Sequence, residues 1–388
     1  MTGPWARFDD LAAGRSVRCP PPSRVLTARE PAEVAGVLQE VDASTAAGSW
    51  AFGYVAYEAA SGLDAQLPGG PSSPGGPPLV WFGLCGEPVG VAPPTAPAPG
   101  GPPAAWRPDW TDAEHAAAVA TVRDHIAAGE TYQCNLTDRL RSTVPGDPGQ
   151  LYARLALAQQ GAFNAHLDLG RHVVASASPE LFFEWAGDRV RTRPMKGTAP
   201  RGRTPAEDRE QRRRLLASSK ERAENLMIVD LLRNDLGRVA ETGSVVVDEL
   251  FTLERYPTVW QLTSQVSARA RPGTGLLDLF RALFPCGSVT GAPKRRTMQL
   301  IGALEPTPRG VYCGAVGLVA PPSARVRARF GVAIRTAVVD RATGAAVYGA
   351  GGGITWGSEA AAERAELLAK AAVLTHEVTA HPTPVGAR

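Results

Sequence analysis

The spacing of apolar and polar residues along the chain predicts a mixture of helices and strands. Residues 111–130, TDAEHAAAVATVRDHIAAGE, have helical spacing with Thr111 or Asp112 as the N-cap. Residues 178–195, SPELFFEWAGDRVRTRPM, predict a hairpin that turns at residues 186–188. Further predictions are a long helix over about 206–233, a hairpin formed by FGVAIRTAVVD and AAVYGAGGGITWG, and a last helix from Ser358 to about 378. Because strands and helices do not alternate regularly, we expect an α+β class with large antiparallel sheets, not a doubly wound parallel sheet.

Two stretches rich in proline and glycine follow the first strands and helices. Residues 67–78, LPGGPSSPGGPP, and 92–105, APPTAPAPGGPPAA, predict loops or surface linkers. The pattern becomes regular only after the second of them. We therefore expect an N-terminal region over residues 1–105 and a main domain over residues 106–388.

The composition is typical of a globular protein and excludes several classes of function. Of the 388 residues, 44% are hydrophobic and 20% are charged, and the net charge is only +3. The one dense basic run, residues 209–222, alternates with acids and has no aromatic neighbours, which favours a solvated helix over a nucleic-acid surface. No apolar run is long enough for a membrane span, and the five scattered cysteines suggest reduced thiols. We expect a cytoplasmic protein that binds neither nucleic acid nor a membrane.

Lysine is rare in this chain, and its positions are therefore informative. The 41 basic residues comprise four lysines and 37 arginines. Lys196 lies in the turn M-K-G-T, and the others are Lys220, Lys294 and Lys370, each in or beside a candidate site segment. Arginine cannot lose its proton in a protein, whereas a partly buried lysine can and then becomes a nucleophile. Lys196 is thus either an attacking amine or a retained positive charge.

Two copies of the tetrapeptide ERAE place paired carboxylates on helices. Glu221 and Glu224 form one pair, and Glu363 and Glu366 form the other, each at i and i+3 on one helix face. Two such helices facing each other would offer oxygen ligands to Mg²⁺. Glutamates at this spacing more often form a solvated face. Against that interpretation, the apolar run NLMIVDLL over residues 225–232 indicates a buried helix.

Two glycine clusters have the composition of anion-binding loops but not their spacing. GAGGGITWG, residues 349–357, does not match the dinucleotide-binding spacing, and GSVTGAPKRRT, residues 287–297, has Pro293 where a donor N–H is needed. Either cluster could hold a carboxylate through backbone amides, or could be a tight turn or bulge.

Six ordered motifs together resemble the chorismate-utilising enzymes, a family that includes anthranilate, isochorismate, salicylate and aminodeoxychorismate synthases. The motifs are RPMKGTAPRG, ERAENLMIVDLLRNDLGRV, FPCGSVTGAPKRRTMQLI, RGVYCGAVG, GVAIRT and GAGGGITWGSEAAAERAELLAKA. They cover about residues 110–378, and GYVAYEAA near the N-terminus is similar to the first region of aminodeoxychorismate synthase component I. The resemblance implies one α+β unit in which two large antiparallel sheets face each other, with helices outside.

The resemblance also assigns roles to individual residues. Glu224 and Glu366 match the Mg²⁺ ligands, with Glu221 and Glu363 supporting them through water, and the metal would hold the ring carboxylate of chorismate. Glu180 in SPELF matches the general acid that protonates the departing hydroxyl. Without the resemblance, Glu180 could equally be a carboxylate that caps backbone donors at a hairpin end. The expected substrate contacts are Tyr312 and Arg335 to the enolpyruvyl carboxylate, the Gly352 amide, Gly197, Thr198 and Lys370.

Lys196 and Gln133 indicate which reaction to expect. In the family, anthranilate synthases have alanine at the position of Lys196, whereas aminodeoxychorismate synthases have lysine. A neutral Lys196 could add at C2 while the C4 hydroxyl leaves, after which ammonia enters at C4 and expels the lysine. Isochorismate and salicylate synthases place a water-activating lysine at Gln133, and glutamine cannot act as that base. Some relatives have histidine at Gln261, so a catalytic role for that histidine does not transfer to this chain.

The expected activity is that of an Mg²⁺-dependent aminodeoxychorismate synthase, the large component, which supplies p-aminobenzoate for folate or a specialised metabolite. No cysteine lies in a glutaminase nucleophile turn, so ammonia would come from solution or from a separate glutamine amidotransferase. The alternatives are another chorismate-utilising synthase, of the anthranilate or 2-amino-2-deoxyisochorismate type, and a non-catalytic chorismate-binding protein.

Overall fold

Two large antiparallel sheets organise the computed structural model, which describes residues 3–96, 105–257 and 259–375. The strands, in chain order, are β1 (Trp5–Asp10), β2 (Arg15–Cys19), β3 (Arg24–Ala28), β4 (Trp50–Val55), β5 (Val80–Cys85), β6 (Val89–Gly90), β7 (Arg107–Pro108), β8 (Gln133–Thr143), β9 (Phe163–Asp168), β10 (His172–Ser178), β11 (Leu181–Ala186), β12 (Arg189–Arg193), β13 (Met195–Pro200), β14 (Val246–Arg255), β15 (Val259–Arg269), β16 (Gly291–Ala292), β17 (Ala315–Val319), β18 (Ala328–Val332), β19 (Thr336–Asp340) and β20 (Ala345–Ile354).

The helices surround these sheets. They are α1 (Pro31–Ala46), α2 (Ala60–Leu63), α3 (Asp112–Ala127), α4 (Pro148–Gln159), α5 (Pro205–Ala217), α6 (Ser219–Gly237), α7 (Leu276–Leu283), α8 (Lys294–Leu304) and α9 (Ala360–Ala371), with short 3₁₀ turns at Tyr57–Ala59, Gly287–Val289 and Ala372–Leu374. None of the described helices is both long and apolar enough to span a membrane.

Each sheet has ten strands in the described part of the chain. The first runs in the order β16-β8-β20-β19-β10-β9-β1-β2-β6, with β7 beside β8. The second runs β13-β15-β12-β11-β18-β17-β4-β5-β3, with β14 beside β15. The predicted α+β class with large antiparallel sheets is confirmed.

The two sheets face each other, and the helices cover their outer faces. Side chains from both sheets meet in one buried cluster that includes Ala6 and Leu167 from the first sheet and Phe52 and Val316 from the second. On the outer side of the second sheet, α1 and α7 pack in a further cluster, and α4 and α9 cover the first sheet. This layered arrangement confirms the fold that the motifs imply.

Two of the points where the chain crosses between the sheets lie next to each other. β10 belongs to the first sheet and β11 to the second, and Pro179-Glu180 joins them. β18 and β19 are likewise in different sheets, and the link between them ends at Arg335, whose φ is +52°. The two links are hydrogen-bonded to the adjoining strands, because Val332 N–H donates to the Glu180 carbonyl and Ala177 N–H donates to the Arg335 carbonyl, both at 3.0 Å.

The single strand predicted for FGVAIRTAVVD is therefore wrong, because its two halves pair in different sheets. The hairpin between β19 and β20 is confirmed, and so is the hairpin between β11 and β12, which turns at Gly187 with φ +59°. Thr111 is the N-cap of α3, since its hydroxyl accepts from Glu114 N–H at 3.2 Å.

The long helix predicted over residues 206–233 is in fact two helices. The break falls at Ser218, whose backbone is extended (ψ 111°) and whose hydroxyl accepts from Glu221 N–H at 3.3 Å. A serine that caps the next helix must leave helical geometry, so α5 ends there and α6 begins. The last helix begins at Ala360, two residues after Ser358, and residues 376–378 lie outside the described part.

The strands of the N-terminal region extend both sheets. β1, β2 and β6 belong to the first sheet, and β3, β4 and β5 belong to the second. The described residues of the two proline-rich stretches, 67–78 and 92–96, contain no helix or strand. A domain boundary near residue 105 stays a prediction.

Candidate active site

One pocket gathers most of the residues that the sequence marks as candidates. Those that line it are Glu180, Lys196, Gly197, Thr198, Glu221, Glu224, Tyr312, Arg335, Glu363, Glu366 and Lys370. Gln133 and Gly352 lie beside this lining. An added carbon on Gly352 would lie 3.3 Å from Glu363 Oε2, and one on Gly353 would overlap the Gln133 amide and lie 3.2 Å from Lys196 Nζ.

A bulge in β13 presents Lys196 to the pocket. The pairing of β13 with β15 shifts register between Met195 and Thr198, and Gly197 there has φ +95°. Asn225 Nδ2 donates to the Lys196 carbonyl at 3.2 Å. The side-chain amide of Gln261 contacts the same turn.

Gln261 makes two hydrogen bonds to this bulge. Its Nε2 donates to the Gly197 carbonyl at 2.8 Å, and its Oε1 accepts from the Thr198 hydroxyl at 2.9 Å. Gln261 therefore fixes the backbone on the C-terminal side of Lys196. Together with Asn225 it holds both sides of the turn, which gives the half-buried lysine one defined direction.

Electrostatics favour a neutral Lys196. Burial lowers the pKa of its amine, and the ammonium of Lys370 lowers it further. The carboxylates of Glu224, Glu180 and Glu366 oppose this shift, but the net direction is downward. Lys196 can thus supply a neutral amine at a lower pH than an ordinary lysine.

Glu180 shifts in the complementary direction. Its side chain is 2% exposed at the crossing between the sheets. Burial raises its pKa to about 7, although the Ser288 hydroxyl, the Lys196 charge and the Met195 N–H all stabilise the carboxylate. The thiol of Cys286 lies 4.0 Å from Glu180 Oε1. A carboxyl group with this pKa can donate a proton near neutral pH.

The four ERAE glutamates reach the pocket from two helices that pack on different sheets. Glu221 and Glu224 lie in the first two turns of α6, which contacts β13 and β15, and Glu363 and Glu366 lie on α9, which contacts β20. Burial and repulsion between neighbouring carboxylates raise the pKa of Glu224 to about 7 and raise those of Glu221 and Glu363. The four carboxylates are therefore crowded together, with too little positive charge nearby to balance them.

Lysines compensate part of this negative charge. Lys370 Nζ lies 2.6 Å from Glu366 Oε1 and donates to the Gly351 carbonyl at 2.9 Å, and Lys220 Nζ lies 3.9 Å from Glu224 Oε1. Burial acts against ionisation of Glu366, but the ammonium of Lys370 holds its pKa below the ordinary value. In the part of the chain that the structure describes, no three acidic, His or Cys side chains converge closely enough to ligate one ion.

The donor chemistry nevertheless fits a hard divalent cation. The four carboxylates offer only oxygen ligands, without thiolate or imidazole, which is the set that Mg²⁺ prefers. The raised pKa values of Glu221, Glu224 and Glu363 indicate that positive charge would be favourable among them. Convergence of the two ERAE pairs would require the lysine contacts to give way.

The structure also corrects and extends the candidate list. Lys294 is not part of the pocket lining. It pairs with Asp235 at 2.7 Å and donates to the Leu283 carbonyl at 3.3 Å, a structural role. Five further polar residues line the pocket that the sequence analysis did not single out: Asn135, Gln159, Tyr256, Ser288 and Tyr348. Asn135 could have been found, because on a strand it shares a face with Gln133.

Comparison with known proteins identifies the family. Residues 86–376 match the model of the chorismate binding enzyme family, and the chain belongs to that family. Anthranilate synthase component 1 of Streptomyces coelicolor is 45% identical over 273 residues, which are 70% of this chain and 52% of that protein. Aminodeoxychorismate synthase component 1 of Salmonella typhimurium is 41% identical over 271 residues, 70% of this chain and 59% of that protein. The matched part thus spans little more than half of these relatives.

Comparison with solved structures finds a similar protein with the same fold. The crystal structure of anthranilate synthase component I from Streptococcus pneumoniae superposes with a TM-score of 0.78 at 26% identity, covering 95% of this chain and 92% of that one. Relatives with two different activities are about equally similar in sequence. The family is therefore shown, and the choice between those activities depends on the chemistry of the pocket.

Proposed function

We propose that this chain is an aminodeoxychorismate synthase, which converts chorismate and ammonia to 4-amino-4-deoxychorismate. The observation that carries the proposal is Lys196, a half-buried amine that lines the pocket with a lowered pKa, in the same pocket as Glu180. An anthranilate-type reaction needs no such nucleophile. An amine that two side chains hold in place, with a pKa below that of an ordinary lysine, supports attack on the substrate instead.

In the proposed reaction, Lys196 Nζ bonds to C2 of chorismate, the two ring double bonds shift, and the C4 hydroxyl leaves as water with the proton of Glu180. Ammonia then bonds to C4, the double bonds shift back, and Nζ leaves C2 as a free amine. Arg335 and Tyr312 bind the enolpyruvyl carboxylate with help from the Gly352 amide. Gly197, Thr198 and Lys370 complete the substrate contacts.

Mg²⁺ is the proposed cofactor, held by Glu224 and Glu366 with Glu221 and Glu363 behind them. When bound, it would neutralise the carboxylates and hold the ring carboxylate of the substrate. We expect Glu224→Gln or Glu366→Gln to abolish turnover without unfolding the protein, because each removes a ligand charge and preserves shape. Circular dichroism and a magnesium titration of activity check this, and full activity in excess chelator would contradict the cofactor.

The ammonia source and the domain roles are further parts of the proposal. The Salmonella relative is named a component 1, which supports a separate glutamine amidotransferase as partner. The product would lead to p-aminobenzoate, for folate or a specialised metabolite, in the cytoplasm. Every described residue that lines the pocket lies at or after Asn135, which supports residues 106–388 as the catalytic domain and 1–105 as an N-terminal region.

Product identification tests the function directly. Purified protein is incubated with chorismate, Mg²⁺ and ammonium at mildly alkaline pH, and the products are separated by chromatography and weighed by mass spectrometry. We expect 4-amino-4-deoxychorismate, and no product when glutamine replaces ammonium. Anthranilate or 2-amino-2-deoxyisochorismate would establish the alternative synthases, and binding without turnover would establish a chorismate-binding protein.

A further inference from the structure

Arg335 is an unusual charge in this pocket. Among the described residues that line the pocket it is the only arginine, and no carboxylate in the described part of the chain forms an ion pair with it. Its φ of +52° is a backbone conformation that L-residues rarely adopt, and its carbonyl is fixed by Ala177 N–H at 3.0 Å. Backbone strain at a pocket residue indicates that the surrounding structure determines where the side chain goes.

Gln159 contacts this guanidinium from a different element. It is the last residue of α4, 5% exposed, and its Oε1 accepts from Arg335 Nη1 at 3.1 Å. The helix ends there because Gln160 adopts φ +53°. The side-chain amide of Gln160 donates to the Leu157 carbonyl at 2.9 Å. Apolar packing of α4 on the first sheet fixes this helix end. The Gln159 amide is therefore delivered to Arg335 by a rigid element.

Gln159 is uncharged, and this determines how it affects the Arg335 guanidinium. A guanidinium has five N–H donors, and the Gln159 oxygen occupies one of them without cancelling the positive charge. A carboxylate in the same place would form a strong ion pair with Arg335, in which both carboxylate oxygens can accept hydrogen bonds. The charge of Arg335 would then no longer be available to the substrate. We propose that Gln159 is a positioning residue, which orients Arg335 toward a carboxylate of the substrate while leaving its charge free. This inference rests on the proposed function for the identity of that substrate.

The experiment compares two variants of Gln159 with a matched control. Gln159→Glu keeps the shape and introduces a charge that captures Arg335. Gln159→Met keeps the bulk and removes the hydrogen bond. The control is Gln150→Glu, which adds the same charge on an exposed side chain near the other end of α4, outside the pocket lining. Each protein is measured for its equilibrium Kd for chorismate, its KM for chorismate and for ammonium, its kcat and its melting temperature.

We expect Gln159→Glu to weaken chorismate binding roughly tenfold or more and Gln159→Met to weaken it less. The KM for ammonium and the melting temperature should stay near wild type in Gln159→Glu, because the new ion pair preserves the helix end. Gln150→Glu should bind chorismate like wild type. Equal chorismate affinity in Gln159→Glu and wild type would overturn the inference, as would parallel losses in all three variants. Absence of chorismate binding by the wild type would instead overturn the proposed function.

Discussion

Burial shifts the pKa values of Glu180 and Lys196 in opposite directions, and both shifts favour the neutral form of the group. It raises the pKa of the acid to about 7 and lowers the pKa of the amine, so each group is neutral over a wider range of pH than usual. A neutral acid can protonate a leaving hydroxyl, and a neutral amine can attack carbon. An ion pair between the same two groups could do neither. The low-dielectric setting of the pocket is therefore part of its chemistry.

Substitution of Lys196 separates a nucleophile from a plain charge. If Lys196 attacks C2, Lys196→Ala removes the covalent route and leaves C2 open to ammonia, so the products should shift toward 2-amino compounds at reduced rate. Lys196→Arg should lose nearly all activity, because arginine keeps its charge and cannot provide a neutral amine. Chromatography of the products checks both variants. Wild-type 4-amino product from Lys196→Ala would show that the lysine is not the nucleophile.

Glu180 should lower the stability of the protein at alkaline pH. Its folded pKa of about 7 exceeds the ordinary 4.5, so its stabilising contribution is complete below 4.5 and is lost as pH rises through about 7. Glu180→Gln carries no such penalty. We expect it to be inactive and, at pH above 7, more stable than wild type by on the order of 1–3 kcal/mol. Urea unfolding at two pH values checks this, and an equal difference in acid and alkali would contradict it.

At the scale of elements, the break at Ser218 places the two carboxylates of α6 that we propose as part of a metal site. Because α6 starts at Ser219, Glu221 falls in its first turn and Glu224 in its second. Ser218→Ala removes the hydroxyl that accepts from Glu221 N–H and should cost about 1 kcal/mol of unfolding free energy. It should also raise the Mg²⁺ concentration needed for half-maximal activity, since the turn that carries Glu221 loosens.

Thr204 provides the matched control for this prediction. It caps α5 in the same way, accepting from Glu207 N–H at 3.2 Å, but α5 carries none of the four site glutamates. Thr204→Ala should lose similar stability and keep its magnesium requirement. Urea denaturation and magnesium titrations of both variants measure the two effects separately, and equal magnesium shifts would refute the assignment to α6.

Some of these element boundaries were visible in the sequence and others were not. Ser218 and Glu221 have the S-x-x-E spacing of a capping box, so the start of α6 could have been predicted from residues already in view. The division of FGVAIRTAVVD could not. Both halves have strand composition, and the kink at Arg335 exists only because β18 and β19 pair with strands far away in sequence.

At the scale of the whole molecule, some pocket residues could likewise be predicted from the sequence and others could not. The residues found from motifs lie in short, locally distinctive segments, so that one match brings several of them at once. Gln159 and Tyr256 have no such segment. Gln159 reaches the pocket because α4 packs on one sheet, and Tyr256 reaches it from the turn of the β14–β15 hairpin that extends the other sheet.

The interleaving of the sheets predicts how the N-terminal region behaves. β1 pairs with β9 and β4 pairs with β17, so removing residues 1–105 would leave one edge of β9 and one edge of β17 unpaired. The N-terminal region also contacts the segment that leads to the pocket-lining residue Tyr312. The Glu58 carboxylate accepts from the N–H groups of Arg309 and Gly310 at 2.7 and 2.9 Å, just before Tyr312.

A chain of residues 106–388 should therefore fail to fold alone, because exposed strand edges and an opened core favour aggregation. We expect it to be insoluble or aggregated in size-exclusion chromatography and to bind no chorismate, whereas co-expression with residues 1–105 should restore soluble protein through the same strand pairs. Calorimetric unfolding of the full chain should show no separate transition for the N-terminal region. Soluble residues 106–388 with the full chain's affinity for chorismate would instead make residue 105 a true folding boundary and the N-terminal strands dispensable to the site.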